Sequence, residues 1–320
     1  MLNQAEPVVI VLIPNNRKAA VSEALDATAA AMCYTRFRHG MEAKTRTLSL
    51  AHSPDSDDAF MFWALAEGRV GADGIEFQHT LSDIQSLNRA ALEGRYDVTA
   101  ISVHAYPYVA GEYAFLNVGA SLGSGYGPVL IAREPLSLQD LGDRVVAIPG
   151  ALTTAALVLR LAAPTVRTKE MPFDAILEAV GRGDAAAGLI IHEGQMTYRQ
   201  QNLELVADLG QWWLDETGLP LPLGANVIRR ELGEGVIGAV ASLIRESIDH
   251  GLRHRSEAVK YAKVFGRNLA QNQVDRFVSM YVNNFTLDLG ETGRKAVVEL
   301  LERGASRGIV PQLGEIQFVG

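Results

Sequence analysis

From about Thr47 onward, apolar and polar positions along the chain switch repeatedly between two periods. Residues 47–53 (TLSLAHS) read as a short strand. Residues 57–70 (DDAFMFWALAEGRV) carry apolar residues at helical spacing, with Gly68 near the end. Residues 74–81 alternate like a strand, and residues 84–93 return to helical spacing ahead of Gly94. Residues 96–102 read as a strand and residues 103–110 as a helix. Repeated β-α-β units of this kind predict a mostly parallel sheet with helices on both faces.

Glycines at 123, 125 and 127 break the rhythm before a strand at residues 129–133. A second series follows: a strand at 145–149, a helix from Thr153, a strand at 166–170, a helix at 173–182 and a strand at 187–191. The Pro/Gly-rich stretch 218–230 (GLPLPLGANVIRR) ends in another strand, and residues 234–301 are almost all helical in pattern. Two α/β series predict either two lobes or one continuous doubly wound domain. In the two-lobe reading the crossovers lie near residues 127–133 and 222–229. The first lobe is then 47–127 plus 229–320, and the second is 128–228.

Residues 1–46 lack this periodicity and read as an extension, with Met41 a candidate translation start. The apolar run at residues 8–13 is too short for a membrane span. It is preceded by an acidic residue and no basic one, unlike a signal peptide, so a cytoplasmic location and no membrane partner are expected. With 48% hydrophobic and 21% charged residues over 320 positions, the composition is globular and the chain can bury a large core. A formal charge of −8 disfavours nucleic acid as a partner. The single cysteine, Cys33, excludes an intrachain disulfide and a cysteine-rich metal site.

Four stretches carry candidate chemistry. An apolar strand delivers His192 and Glu193 at its carboxyl end, where ligands bind in open α/β sheets. A histidine there suits proton transfer near neutral pH, or it stabilises a turn. In residues 148–157 (IPGALTTAAL), Thr153 and Thr154 open a helix. Thr153 is a candidate N-cap, and the same geometry aims hydroxyls and backbone N–H groups at a carboxylate or phosphate. Residues 52–60 (HSPDSDDAF) place three acids at a helix start, which the helix dipole explains without a metal. Ser102 ends a strand, with His104 two residues on. There is no Walker loop, no G-x-S-x-G elbow, and no dinucleotide fingerprint, because GSGYG at 123–127 precedes a strand. The residue set fits proton transfer on a small polar anion.

Seven segments, spread from about Leu48 to about Ala305, together resemble the 1,4-dihydroxy-6-naphthoate synthase family of the futalosine route to menaquinone: SPDSDDAFMFWAL, LNRAALEGRYDVTAIS, GYGPVLIAR, PGALTTA, GLIIHEGQMTY, LGQWWLDETGLPLPLGA and YVNNFTLDLGE. The resemblance implies a type II periplasmic-binding-protein-like α/β fold, two lobes with a central cleft. It implies a lyase that converts cyclic dehypoxanthinyl futalosine to 1,4-dihydroxy-6-naphthoate and dihydroxyacetone, without a cofactor. His192 takes the family's catalytic position, as the proton acceptor. Thr154 and Ala155, with Ala100, Ile101 and Ser102, fall on its substrate contacts. Thr153, Asp57 and Glu193 complete the candidate contacts for a small aromatic carboxylate. Tyr106, Trp212 and Trp213 are candidates for stacking on its ring, or ordinary packing residues. The chain departs from the family at Asp57 and Ala59, where Asn and Thr are expected, and at Ala100, where Lys is expected. Two alternatives share the fold: a solute-binding protein for a small carboxylate, and a chorismate dehydratase-like enzyme.

Overall fold

The computed structural model describes residues 45–266 and 269–320. All but the last two positions of the expected 1–46 extension, including Cys33 and Met41, lie outside the described residues.

The chain begins with β1 (Arg46–His52), α1 (Ser56–Ala66), β2 (Ile75–Leu81), α2 (Ile84–Leu92) and β3 (Val98–Ser102). β1 pairs in parallel with both β2 and β3, as the β-α-β rhythm predicts. β3 is buried at all five positions, as expected of a central strand covered on both faces. α1 is buried along nearly its whole length, which explains its unbroken apolar run: it lies between the sheet and later helices. After β3 come a short α3 (Tyr106–Val109), β4 (Tyr113–Leu116) and β5 (Ser121–Gly123).

The second sheet holds β6 (Val129–Ala132) and β7 (Val145–Ile148). After β7 come α4 (Thr154–Ala162), β8 (Arg167–Glu170), α5 (Ile176–Arg182) and β9 (Ala187–Ile190). β10 (Glu204–Asp208) completes it, in the order β10-β6-β9-β7-β8. β8 is exposed at every residue and reads RTKE, a charged edge that resists pairing with another chain. Next, α6 (Leu209–Thr217) leads into β11 (Leu221–Arg229).

β11 is antiparallel to β3, β4 and β5, and so belongs to the first sheet. The return crossing therefore precedes Leu221, earlier than the expected boundary at 228/229. The reason is geometric. The parallel strands end at the cleft, so a chain that has just crossed the cleft enters the facing sheet at its cleft edge and runs away from it. β6 does the same in the second sheet, antiparallel to both β9 and β10. Each sheet thus contains one reversed strand, and each reversed strand starts at the cleft.

The remainder is helical, as its pattern predicts: α7 (Glu234–Arg253), α8 (Arg255–Ala262), α9 (Gln271–Tyr281), α10 (Asn284–Leu287) and α11 (Gly290–Ser306). In α7 the buried residues are Ile237, Val240, Ala241, Leu243, Ile244, Ser247, Ile248 and Gly251, the spacing of an amphipathic helix. β12 (Phe318–Val319) closes the first sheet beside β4, in the order β12-β4-β11-β3-β1-β2. β4, β5, β10 and β12 were not expected from the sequence. Each is five residues or fewer, too short to show a period of its own. Among the described residues no helix is long and apolar enough to cross a membrane.

Glycines shape the first crossing. Gly210 lies so close to the Tyr126–Gly127 backbone that a Cβ would come within 2.0 Å of Tyr126 carbonyl atoms. No other residue allows that approach.

Candidate active site

A cavity of about 750 Å³, counting the space at its mouth, lies between the sheets, within the size range of small-molecule sites. Two β–loop–α units bound it, and the reversed strand β11 runs along it.

From the second sheet, β7 delivers the loop before α4. Thr153, Thr154 and Ala155 line the cavity, but the two hydroxyls are already engaged. Thr153 Oγ1 accepts from the Ala156 amide at 3.2 Å, as an N-cap, and donates to Gly150 O at 2.8 Å. Thr154 Oγ1 donates to Leu223 O of β11 at 2.6 Å. What this helix end offers a ligand is therefore its first-turn amides, which no helix can satisfy internally. α4 has no acid in its first turn, so its positive end is not neutralised from within. His104 holds the unit in place: its Nδ1 lies 3.0 Å from Thr153 O, and its amide donates to Thr154 Oγ1 at 3.3 Å.

From the first sheet, β1 delivers Ser53, Asp55, Asp57 and Asp58 to the cavity. Asp58 Oδ2 accepts from the Ser53 amide at 2.8 Å. Burial pushes the Asp58 carboxyl up to about 6, against the lowering effect of the Ser53 hydrogen bonds. Burial, reinforced by the charges of Asp58, Asp55 and Glu193, raises the Asp57 carboxyl well above the usual carboxylate range. Among the described residues no group of three or more His, Cys, Asp or Glu is placed to hold a metal ion. Behind this loop sit two buried histidines. His52 stacks on Phe62, and the His52 and His79 rings meet edge to face at 5.8 Å. Burial pushes His52 down to about 3, with His79 adding to it, and His79 down to about 4.

Ala100, Ile101 and Ser102 at the end of β3 also line the cavity. Ser102 is fixed by Asn88, which accepts from its amide at 2.8 Å and donates to its Oγ at 3.0 Å.

His192 and Glu193 follow β9 as expected, but their neighbours Ile191 and Gln195 are the ones that line the cavity. His192 is 5% exposed. Its Nδ1 accepts from the Gly194 amide at 2.9 Å, so the proton sits on Nε2, which faces Phe173 O at 3.2 Å. The Glu193 carboxylate accepts from the Ser56 hydroxyl at 2.7 Å across the cleft. Tyr281 of α9 likewise donates to Gln195 Oε1 at 3.0 Å. The His192 segment is thus tied to the first lobe at two points.

The aromatics weighed for stacking or packing are not among the residues lining the cavity. Tyr106 packs edge to face on Phe115. Trp213 is fully buried, with its N–H donated to Pro220 O at 3.2 Å. Trp212 packs against the same core. All three are packing residues, because their positions on α3 and α6 face the sheets and not the cleft. The sequence reading missed Asn226, Gln195, Phe277 and Tyr281, which line the cavity from β11, the β9 loop and α9.

The family model described as menaquinone biosynthesis matches residues 48–306. The chain belongs to that family. Among its relatives is a protein of Thermus thermophilus named 1,4-dihydroxy-6-naphthoate synthase, 43% identical over 262 residues, which cover 82% of this chain and 95% of the relative. A Streptomyces coelicolor protein of the same name is 40% identical over 275 residues, covering 84% and 96%. A crystal structure of an Archaeoglobus fulgidus protein, 42% identical, superposes with a TM-score of 0.80 over 82% of this chain and 98% of that one. The alkanesulfonate-binding protein of Xanthomonas axonopodis, 12% identical, superposes at 0.65 over 84% and 96%. At that identity the likeness shows the fold alone, that of the periplasmic binding proteins. This menaquinone-biosynthesis family therefore shares its architecture with solute receptors, and its chemistry is to be sought in the cleft.

Proposed function

We propose that this protein is a carbon–carbon lyase that converts cyclic dehypoxanthinyl futalosine to 1,4-dihydroxy-6-naphthoate with release of dihydroxyacetone. The observation that carries the reading is the division of one cavity into two chemistries. The α4 end offers N–H donors to a carboxylate, while the first-sheet wall offers acceptors and carboxyl groups to a hydroxylated part of the same molecule. The substrate has both parts, an aromatic carboxylate and a sugar-derived portion. The names of the relatives support the same reading.

His192 is the base in this proposal. In the arrangement described, its acceptor nitrogen is held by the Gly194 amide, so the ring must exchange that contact for the substrate before it takes a proton. Closure of the two lobes, made by the Glu193–Ser56 and Gln195–Tyr281 contacts, excludes water from the reacting carbons. The engagement of His192 by backbone is also the observation that favours the alternative, a solute-binding protein for a small carboxylate.

A product assay separates the two. Wild-type protein with cyclic dehypoxanthinyl futalosine is expected to form dihydroxynaphthoate. His192→Ala is expected to bind the substrate but to turn it over about 10²- to 10⁴-fold more slowly. Absence of product from both, with a small carboxylate bound by both, supports the receptor reading instead.

A further inference from the structure

Asn226 is 1% exposed and lines the cavity from β11. Its Nδ2 donates to Gly119 O at 2.8 Å. Because a carbonyl can only accept, this contact fixes which end of the amide is nitrogen and presents Oδ1 on the other side. Among the described residues no group reaches Oδ1. Gly119 makes the arrangement possible. Its φ is +77°, and a Cβ there would come within 2.4 Å of the Asn226 nitrogen.

The register of β11 places Asn226 directly opposite Ala100 of β3, in an antiparallel pair whose side chains share a face. Ala100 contributes only a methyl group, and both residues of the pair line the cavity. Three residues earlier on the same strand, about 10 Å away, the Leu223 carbonyl is held by Thr154 at the start of α4. Asn226 and the α4 amides thus face one cavity from two places along one strand. Asp57 and Asp58 line it too, and no Lys, Arg or His is among the described residues that do. A carbonyl or carboxylate of a ligand would be repelled at the Asn226 end. A hydroxyl or N–H would satisfy an acceptor that is otherwise buried without a partner.

We infer that Asn226 is a specificity-determining residue: its Oδ1 accepts a hydrogen bond from a hydroxyl of the ligand and so sets the direction in which the molecule lies in the cleft. Resting on the lyase reading, the inference places the sugar-derived hydroxyls on the first-sheet wall and the carboxylate at α4. A site built to pair with a hydroxyl discriminates strongly against the analogue that lacks it, because the protein group is then left unpaired.

The test compares matched ligands on three proteins: wild type, Asn226→Leu and Asn226→Asp. The ligands are cyclic dehypoxanthinyl futalosine with its analogues lacking one sugar hydroxyl each, and L-malate with succinate, a pair independent of the lyase reading. Calorimetry and steady-state kinetics are the readouts, with circular dichroism as the check on folding. Wild type is expected to prefer a hydroxylated member by about 10-fold or more, N226L to reduce that ratio to within about twofold, and N226D to retain it. A residue that merely holds Gly119 would lose function in N226D and N226L alike. Where N226L does not fold, Asn226→Ser, which admits water beside Gly119, takes its place. A folded N226L or N226S that keeps the preference, or a wild type with none, overturns the inference. Failure of wild type to form product while the malate preference tracks Asn226 sinks the lyase reading and leaves this one standing.

Discussion

The two walls of the cleft are built from the same unit, a parallel strand, a short loop and a helix aimed at the ligand, yet they present opposite chemistry. At β7–α4 the helix start is capped by Thr153 and has no acid in its first turn. At β1–α1 the first turn carries Asp57 and Asp58, and the Ser56 hydroxyl is already bonded to Glu193 from the other lobe. The positive end of a helix attracts one anion well. Where the protein supplies carboxyl groups of its own, a ligand's carboxylate is not favoured. Where it does not, the site is left for a ligand. The difference lies in which side chains fill the first turn, and not in the fold.

The largest way to break this comparison is to make α4 resemble α1. Ala155→Asp puts a carboxylate in the first turn of α4, inside the cavity. Binding of the proposed carboxylate substrate, measured by calorimetry, is expected to weaken by roughly 100-fold or more, from loss of the helix-end attraction and like-charge repulsion. Unchanged affinity in a folded variant would mean the carboxylate binds elsewhere.

The second prediction concerns acid sensitivity, which belongs to the first wall. His79 titrates near 6.5 when unfolded and is held at about 4 by burial when folded. Stability is therefore complete above pH 6.5 and is lost as pH falls toward 4, because the unfolded chain takes up a proton that the folded one refuses. The loss from His79 is on the order of 3 kcal/mol, and His52 adds to it as the pH falls further. In His79→Leu the melting temperature should fall less than in wild type between pH 7 and pH 4. Parallel pH curves for the two proteins would refute this account.

A smaller effect tests the inter-lobe contact. Ser56→Ala removes the hydroxyl donated to the buried Glu193 carboxylate and is expected to cost about 1–3 kcal/mol in urea unfolding. Glu193→Gln keeps an acceptor for that hydroxyl and should cost less. Equal losses would assign the effect to charge and not to the hydrogen bond.

Much of this was legible in the residues. The two α/β series, the crossover strands near 127–133 and 222–229, the helical tail and the Thr153 cap are local, written in periods of two and 3.6 and in capping residues. The segments at 100–102 and 153–155, which the family resemblance marks as contacts, line the cavity, where strand ends and helix starts lie in this topology. The stacking role weighed for Tyr106, Trp212 and Trp213 is not what they do. Residue type alone does not say which way a helix turns its aromatic side chains.

What only the tertiary structure decided are the contacts between distant segments. Asn226 meets Gly119 across 107 residues, Ser56 meets Glu193 across 137, and Tyr281 meets Gln195 across 86. Neither the unpartnered oxygen of Asn226 nor the occupied nitrogens of His192 leave a mark in a period or a motif, because each depends on which strand lies beside which and in what register. The sequence by itself determined the longer elements and their order. The pairing of β11 with β3, and of the first wall with its own carboxyl groups, determined what the ends of those elements can bind.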